Sequence, residues 1–241
     1  MICQTNTIAE CDEFLYTYLA GYYEAYGAAH SFLRFYRSDS GGQLCVLDGV
    51  VTVCGNGFDT EELQLFLKMQ SDIVSVCCSR EIANRIRSFD KWSMTVYPVM
   101  RYEPSKTTAA NEGTSTPRAV YALLNECFEV LPPFESWYLD VCHRIRHDCC
   151  HIASVCENGA PISSAMTVAE HPNGAVIGAV ATHPAHRRKG YAGRCVTALA
   201  ETMLRQNKTV YICPKTDSAK RLYETLGFIT CDETVVLERK T

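Results

Sequence analysis

The chain has 241 residues, 47% of them hydrophobic and 21% charged, which excludes general disorder and supplies core for one large domain or two of about 100 to 120 residues. Its formal net charge of −4 gives no bulk attraction to nucleic acid or an anionic membrane, so neither is expected as a partner and any basic feature has to act locally. The chain has fourteen cysteines and opens on MICQTNTIAECDEF, which is without the basic and apolar regions of a secretory signal, so the expected setting is a reducing cytoplasm with free thiols.

Taken in order, residues 12–29 carry an apolar and aromatic stripe (Phe14, Leu15, Tyr18, Leu19, Tyr22, Tyr26) at helical spacing. Short strands are predicted at 32–36, 43–47 and 50–54, with Ser-Asp-Ser-Gly-Gly and Asp-Gly as their turns. Asp59 or Thr60 caps a helix through Met69, with Glu61 and Glu62 in its first turn. A buried strand over 73–77, a helix over 80–89 and a long strand over 92–102 complete the first half. Residues 104–117, PSKTTAANEGTSTP, have no large apolar side chain and read as a linker. The expected division is therefore 1–103, a linker over 104–117, and 118–241.

Beyond the linker, amphipathic helices are predicted at 119–130 and 134–146, then strands at 151–157, 161–170 and 175–182. A helix over 194–206 puts Val196, Leu199, Met203 and Leu204 on one face. A strand at 209–213, a helix at 218–226 stopped by Gly227, and a strand at 228–238 end the chain. The stretch 180–194, VATHPAHRRKGYAGR, runs from an apolar strand through a basic patch into a helix. Arg187, Gly190 and Ala192 fit R-x-x-G-x-A, in which small residues let a phosphate reach the backbone. The first turn of a helix has unpaired N–H groups and partial positive charge, so a pyrophosphate fits there, aided by Arg187, Arg188 and Lys189.

With AKRLYETLGF at 219–228, this segment resembles the coenzyme A core of the GNAT superfamily of N-acetyltransferases. The resemblance implies an α/β fold with a mixed, mostly antiparallel central sheet flanked by helices. The element order of 1–103 is similar to that fold a second time, in degenerate form, because the place after 50–54 reads GNGFDTEE. Two tandem GNAT-like domains are thus expected, with 118–241 the catalytic one. The resemblance also implies acetyl-CoA as cosubstrate: the pyrophosphate on Arg187, Arg188, Lys189, Gly190, Ala192 and Gly193, and the pantetheine arm along Val180 and Thr182, where the fourth strand splays from the fifth. It makes Tyr223 the general acid beside the coenzyme sulfur and sets the acceptor beside the paired helices.

Two departures stand out. Relatives often have Asn where this chain has Thr216, and often a Glu in the strand at 175–182, which here has no ionisable group. Glu170, His171, His183 or a water chain are the alternatives for the base, and His183 before Pro184 reads as a turn histidine. The expected activity is transfer of acetyl to a primary amine of a small molecule by direct attack in a ternary complex; a non-catalytic CoA-binding sensor or interaction module is the other class. Cys142, His143, His147, Cys149, Cys150 and His151 invite a metal reading, but a helix end and a strand start would scatter them, so no metal is expected. Acceptor identity and oligomeric state are not legible.

Overall fold

The computed structural model describes residues 1–28, 30–87, 92–104 and 113–239. In chain order the elements are β1 (Ile2–Thr5), α1 (Phe14–Tyr26), β2 (Leu33–Ser38), β3 (Gln43–Leu47), β4 (Val50–Cys54), α2 (Thr60–Met69), β5 (Ser75–Cys78), α3 (Arg80–Ile86), β6 (Trp92–Tyr102), α4 (Pro117–Cys127), α5 (Phe134–Arg146), β7 (Ile152–Glu157), β8 (Ala160–His171), β9 (Gly174–Thr182), α6 (Tyr191–Arg205), β10 (Thr209–Ile212), α7 (Asp217–Thr225) and β11 (Phe228–Arg239). The fold is mixed α/β with mostly antiparallel pairing, and the chain divides into two compact units: Met1–Val99 with Cys231–Thr241, and Met100–Thr230.

In the first unit β2, β3 and β4 form a meander. Asp48 and Gly49 both have positive φ, 47° and 77°, the two-residue turn whose twist matches the strands it joins. β4 then runs parallel to β5, and β5 pairs antiparallel with the end of β11 through Val235↔Cys78 to Glu238↔Ser75. β1 pairs along the outer edge of β2; periodicity does not reveal it, because ICQT is short and half polar. Leu44, Val46, Val51, Val53, Leu63, Leu67, Ile82 and Ile86 form the core. Asp59 caps α2 by accepting from the Glu62 N–H at 2.9 Å.

In the second unit β7, β8 and β9 are antiparallel, β10 is parallel to β9, and Met100 and Arg101 of β6 pair antiparallel with β10. α6 buries Val196, Leu199 and Met203 against Ile177, Val210, Ile212 and Phe228, with Met100 and Tyr102 in the same cluster. α4 packs Val120, Leu123 and Leu124 on Ala181, and α5 packs Val141 on Cys150 and Met166.

The closing strands are exchanged between the halves of the sequence. The end of β6, Met100–Tyr102, from the first half of the sequence, belongs to the second unit, where Met100 and Arg101 pair with β10, and most of β11, from the second half, belongs to the first unit, where it pairs with β5. The units therefore differ from the expected 1–103 and 118–241. Local periodicity fixes that a strand exists but not which strand it joins.

Other differences are local. β5 starts two residues later than expected, with Ile73 buried ahead of the strand. α6 begins at Tyr191, three residues early, because the helix opens directly on Gly190. Among the cysteines, Cys45 and Cys54 are buried, Cys77 and Cys213 are half-buried, and Cys156 is exposed at the end of β7. Ala29, residues 88 and 89 of the expected helix at 80–89, and 105–112 of the expected linker lie outside the described residues. Among the described residues no helix is long and apolar enough to cross a membrane, and no group of three or more His, Cys, Asp or Glu side chains is placed to hold a metal ion.

Candidate active site

β9 carries the geometry that matters. Its parallel pairing with β10 runs from Gly174↔Thr209 to Ile177↔Ile212 and stops there, while β9 continues to Thr182. On the other side, the register with β8 jumps from Met166↔Gly178 to Ser164↔Ala181, so two residues, Ala179 and Val180, oppose Ala165. Ala179 has φ +47°, a sparsely populated conformation for a residue with a Cβ, and this is a β-bulge. The extra residue shifts the alternation of faces: Ala175, Ile177 and Val180 join the α6 cluster, whereas Ala179 and Ala181 join that of α4.

Beyond the bulge, the His183 N–H donates to Ile162 O at 2.9 Å, so the backbone groups of Thr182, in the opposite phase, face away from β8. No strand among the described residues pairs with them on that edge. Thr182 is partly committed. Its carbonyl accepts from Cys127 Sγ at 3.4 Å and Arg187 Nε at 3.1 Å, and its hydroxyl lies 2.8 Å from Ser163 Oγ. It therefore has its N–H left for an incoming acceptor.

After β9 a 3-10 turn, Pro184–His186, leads to Arg187, Arg188 and Lys189 and then to α6. Arg188 and Gly190 have φ +65° and +81°, and Gly190 is the N-cap of α6 without any side-chain cap bond. The first helical backbone bond is Arg194 N to Gly190 O at 3.1 Å, which leaves the N–H groups of Tyr191, Ala192 and Gly193 open at the helix start. A Cβ on Gly190 would meet nothing within 4 Å, so the space beside it is open. Gly193 is different: its Cβ would lie 3.3 Å from Leu226 Cδ2, so its missing side chain lets α6 approach α7, and it has only an N–H to offer a ligand. Arg188 and Lys189 are exposed. Arg187, though also exposed, has its Nε turned back onto Thr182.

Tyr223, on α7, is 6% exposed, its ring tilted against that of Phe228 at 5.9 Å, itself 4.8 Å from Tyr102. Burial, with the charge of the neighbouring Cys213 thiol adding to it, pushes its hydroxyl up to about 12. Cys213 follows Ile212, the last residue of β10 to pair with β9, which sets Tyr223 beside the mouth of the strand divergence. Thr216, in the place where relatives often have Asn, uses its hydroxyl as the N-cap of α7, accepting from the Ala219 N–H at 3.2 Å.

Among the base candidates, Glu170 pairs in register with Ala175, and Ser163 with Thr182. Seven residues of β8 thus separate Glu170 from the open edge, roughly 23 Å of strand. Glu170 is buried and accepts from Lys208 Nζ at 2.6 Å and Thr167 Oγ1 at 2.8 Å, with His151 Nδ1 at 3.0 Å. It is a structural carboxylate, and adjoining His171 is at the same remote end. His183 has both ring nitrogens engaged: Nδ1 accepts from the Ala185 N–H at 3.2 Å, and Nε2 lies 2.9 Å from Glu126 Oε2. That caps the turn and leaves Glu126, on the last turn of α4 and 56% exposed in its side chain, as a carboxylate at the end of β9. No local pattern marks it, because 56 residues separate Glu126 from Thr182.

The solved structures show the fold in which this arrangement sits. A putative acetyltransferase of the GNAT family from Novosphingobium aromaticivorans matches with TM-score 0.60 and 18% identity, over 95% of this chain and 98% of that one. A GCN5-related N-acetyltransferase from Kribbella flavida matches at 0.59 and 18%, over 83% and 87%. This is a GNAT-fold protein. A tandem GNAT protein from the clavulanic acid biosynthesis pathway matches at 0.56 and 14% over 98% of both chains, so the likeness of GNAT folds extends to the first unit. Residues 157–237 match the model of the FR47-like protein family, a span that includes β9, the basic turn, α6 and Tyr223. No curated protein matches the chain in sequence.

Proposed function

We propose that this GNAT-fold protein is an acyl-CoA-dependent N-acyltransferase that moves acetyl from acetyl-CoA to a primary amine of a small molecule in a ternary complex. One observation carries the reading: β9 leaves β10 after Ile177, bulges at Ala179, and runs into a basic turn whose αL Gly190 opens α6. The N–H groups of Tyr191, Ala192 and Gly193, with Arg188 and Lys189, take the pyrophosphate. Val180 and the Thr182 N–H pair with the pantetheine amides as an added strand would, and the Val180 N–H faces the thioester oxygen as charge develops on it. The amine nitrogen attacks the thioester carbon; its proton leaves to Glu126 or through water, and the C–S bond breaks as Tyr223 protonates the departing sulfur. Burial pushes that hydroxyl up to about 12, so it is protonated at neutral pH.

In this reading the second unit is catalytic and the first is a degenerate copy, with residues 104–117 linking the two halves of the sequence. Fourteen free thiols suit a reducing compartment such as the cytoplasm. The lack of an ionisable side chain in β9 favours a second reading, a CoA-binding sensor without turnover. Calorimetry with CoA, followed by thiol release measured with DTNB across a panel of amines, tests both. Binding with amine-dependent thiol release is the expected result. Binding without release from any amine supports the sensor, and no CoA binding overturns both readings.

A further inference from the structure

Cys11 Sγ and Cys54 Sγ lie 2.9 Å apart, in the first unit and remote in sequence. A disulfide bond is about 2.05 Å long, so under about 1 Å of side-chain movement separates the two thiols from a covalent link. The surroundings hold them together. Cys54 ends β4 and is buried, while Cys11 is half-buried in the segment before α1. That segment is fastened by paired bonds between Gln43 and Ala9, Oε1 accepting from the Ala9 N–H at 2.6 Å and Nε2 donating to its carbonyl at 2.7 Å. Glu13 Oε2 accepts from the Gly55 N–H at 2.9 Å and lies 3.7 Å from Cys54 Sγ.

We infer that Cys11 and Cys54 are a reversible dithiol–disulfide site, closed by a hydroperoxide and reopened by a thiol reductant. Cys11, the more accessible, is the attacking sulfur, and the hydrogen bond from Cys54 holds its thiol below the ordinary range. Cys54, bonded to Cys11 and buried, is held above it and keeps its proton. The Cys11 thiolate, having released its proton to solvent, attacks one peroxide oxygen. The O–O bond breaks, the expelled hydroxide takes up a proton as water, and Cys11 becomes a sulfenic acid. Cys54 sulfur then attacks Cys11 sulfur, the S–O bond breaks, and the hydroxide leaves as water with the proton Cys54 gives up, for which Glu13 is the acceptor at hand. The sum is two thiols and one hydrogen peroxide to one disulfide and two waters, a two-electron oxidation. The product staples the segment before α1 to the end of β4.

The test uses the full-length reduced protein, treated with one equivalent of hydrogen peroxide, alkylated and cut with trypsin and a Glu/Asp-specific protease. Glu10 separates Cys3 from Cys11, and Asp48 separates Cys45 from Cys54, so the linked peptides are unambiguous by mass. A Cys11–Cys54 cross-link that forms before any other and vanishes with dithiothreitol is expected. In Cys54→Ser, dimedone should trap Cys11 as the sulfenic acid. Because Cys54 is buried, Cys11→Ser provides the second variant: peroxide should raise the melting temperature of the wild type by several degrees and leave that of Cys11→Ser unchanged. Cross-links that form first among the other twelve cysteines, or Cys11 that stays alkylatable after peroxide, would overturn the inference.

Discussion

Gly190 sits at φ +81° with open space where a Cβ would point, so replacing it has two separable effects. An L side chain in the left-handed region costs about 1–2 kcal/mol, and any Cβ stands where the pyrophosphate must approach the backbone. Gly190→Val should suffer both, losing CoA affinity by more than tenfold and some thermal stability. Gly190→Asn tolerates the left-handed conformation, so a loss of affinity at an unchanged melting temperature isolates the second effect. Calorimetric affinity that is wild-type in both variants would remove Gly190 from the site. Tyr223→Phe keeps the ring against Phe228 and removes only the hydroxyl. It should lower kcat by about 10- to 1000-fold with CoA affinity nearly constant, in line with the size of general acid catalysis. Equal losses of rate and affinity would make Tyr223 a core or binding residue instead.

At the scale of elements, the far end of the β8–β9 hairpin is pinned by Glu170, His151 and Lys208. Burial alone would push the Glu170 carboxyl up, but the bonds from His151 and Lys208 outweigh it and hold Glu170 below its ordinary 4.5. Its bond to Glu170 raises His151 above 6.5, against burial. The signs follow by linkage. Glu170 contributes stability that is present above 4.5 and lost as pH falls through its lowered value. His151 contributes stability that is present below 6.5 and lost as pH rises through its raised value. Urea midpoints should therefore be highest between about pH 4.5 and 6.5 as far as this network is concerned, and Glu170→Gln should flatten both limbs. It should also cost about 3–5 kcal/mol by leaving Lys208 without its carboxylate; a pH profile identical to wild type would show the network to be inert. Such a network is illegible in sequence, since His151, Glu170 and Lys208 meet only once two strands and a loop have been brought together. What was legible is what local chemistry dictates. Gln43–Leu47 and Val50–Cys54 emerged with their observed bounds because an Asp-Gly turn sits between apolar runs, and the α6 turn emerged because Arg187, Gly190 and Ala192 lie within one short motif. The β9 bulge did not, because Gly178-Ala179-Val180 reads as plain strand; neither did the Glu126–His183 contact, which depends on where α4 ends.

For the whole molecule, the exchanged strands change what cutting the chain should do. The sequence alone suggests two halves on a string, with cleavage near 107–116 releasing each as a domain. Yet a fragment ending there keeps β6, whose Met100 and Arg101 pair with Ile212 and Tyr211 in the second unit, and the other fragment keeps β11, whose Val235–Glu238 pair with β5 in the first. Val235 and Leu237 are fully buried in the core of the first unit, and Met100 and Tyr102 lie in that of the second. Pulling the fragments apart would expose four large apolar side chains, at about 1.5–3 kcal/mol each, and leave an unpaired edge on each sheet. A protease site inserted between Thr107 and Ala110 should therefore give two bands on a denaturing gel but one peak in size exclusion, with the fragments separating only in denaturant. The nicked protein should keep the CoA affinity of the intact chain, because the residues assigned to the cofactor all lie between Val180 and Gly193. Fragments that part in native buffer, each folded by circular dichroism, would show that neither unit needs the strand it receives from the other half of the sequence.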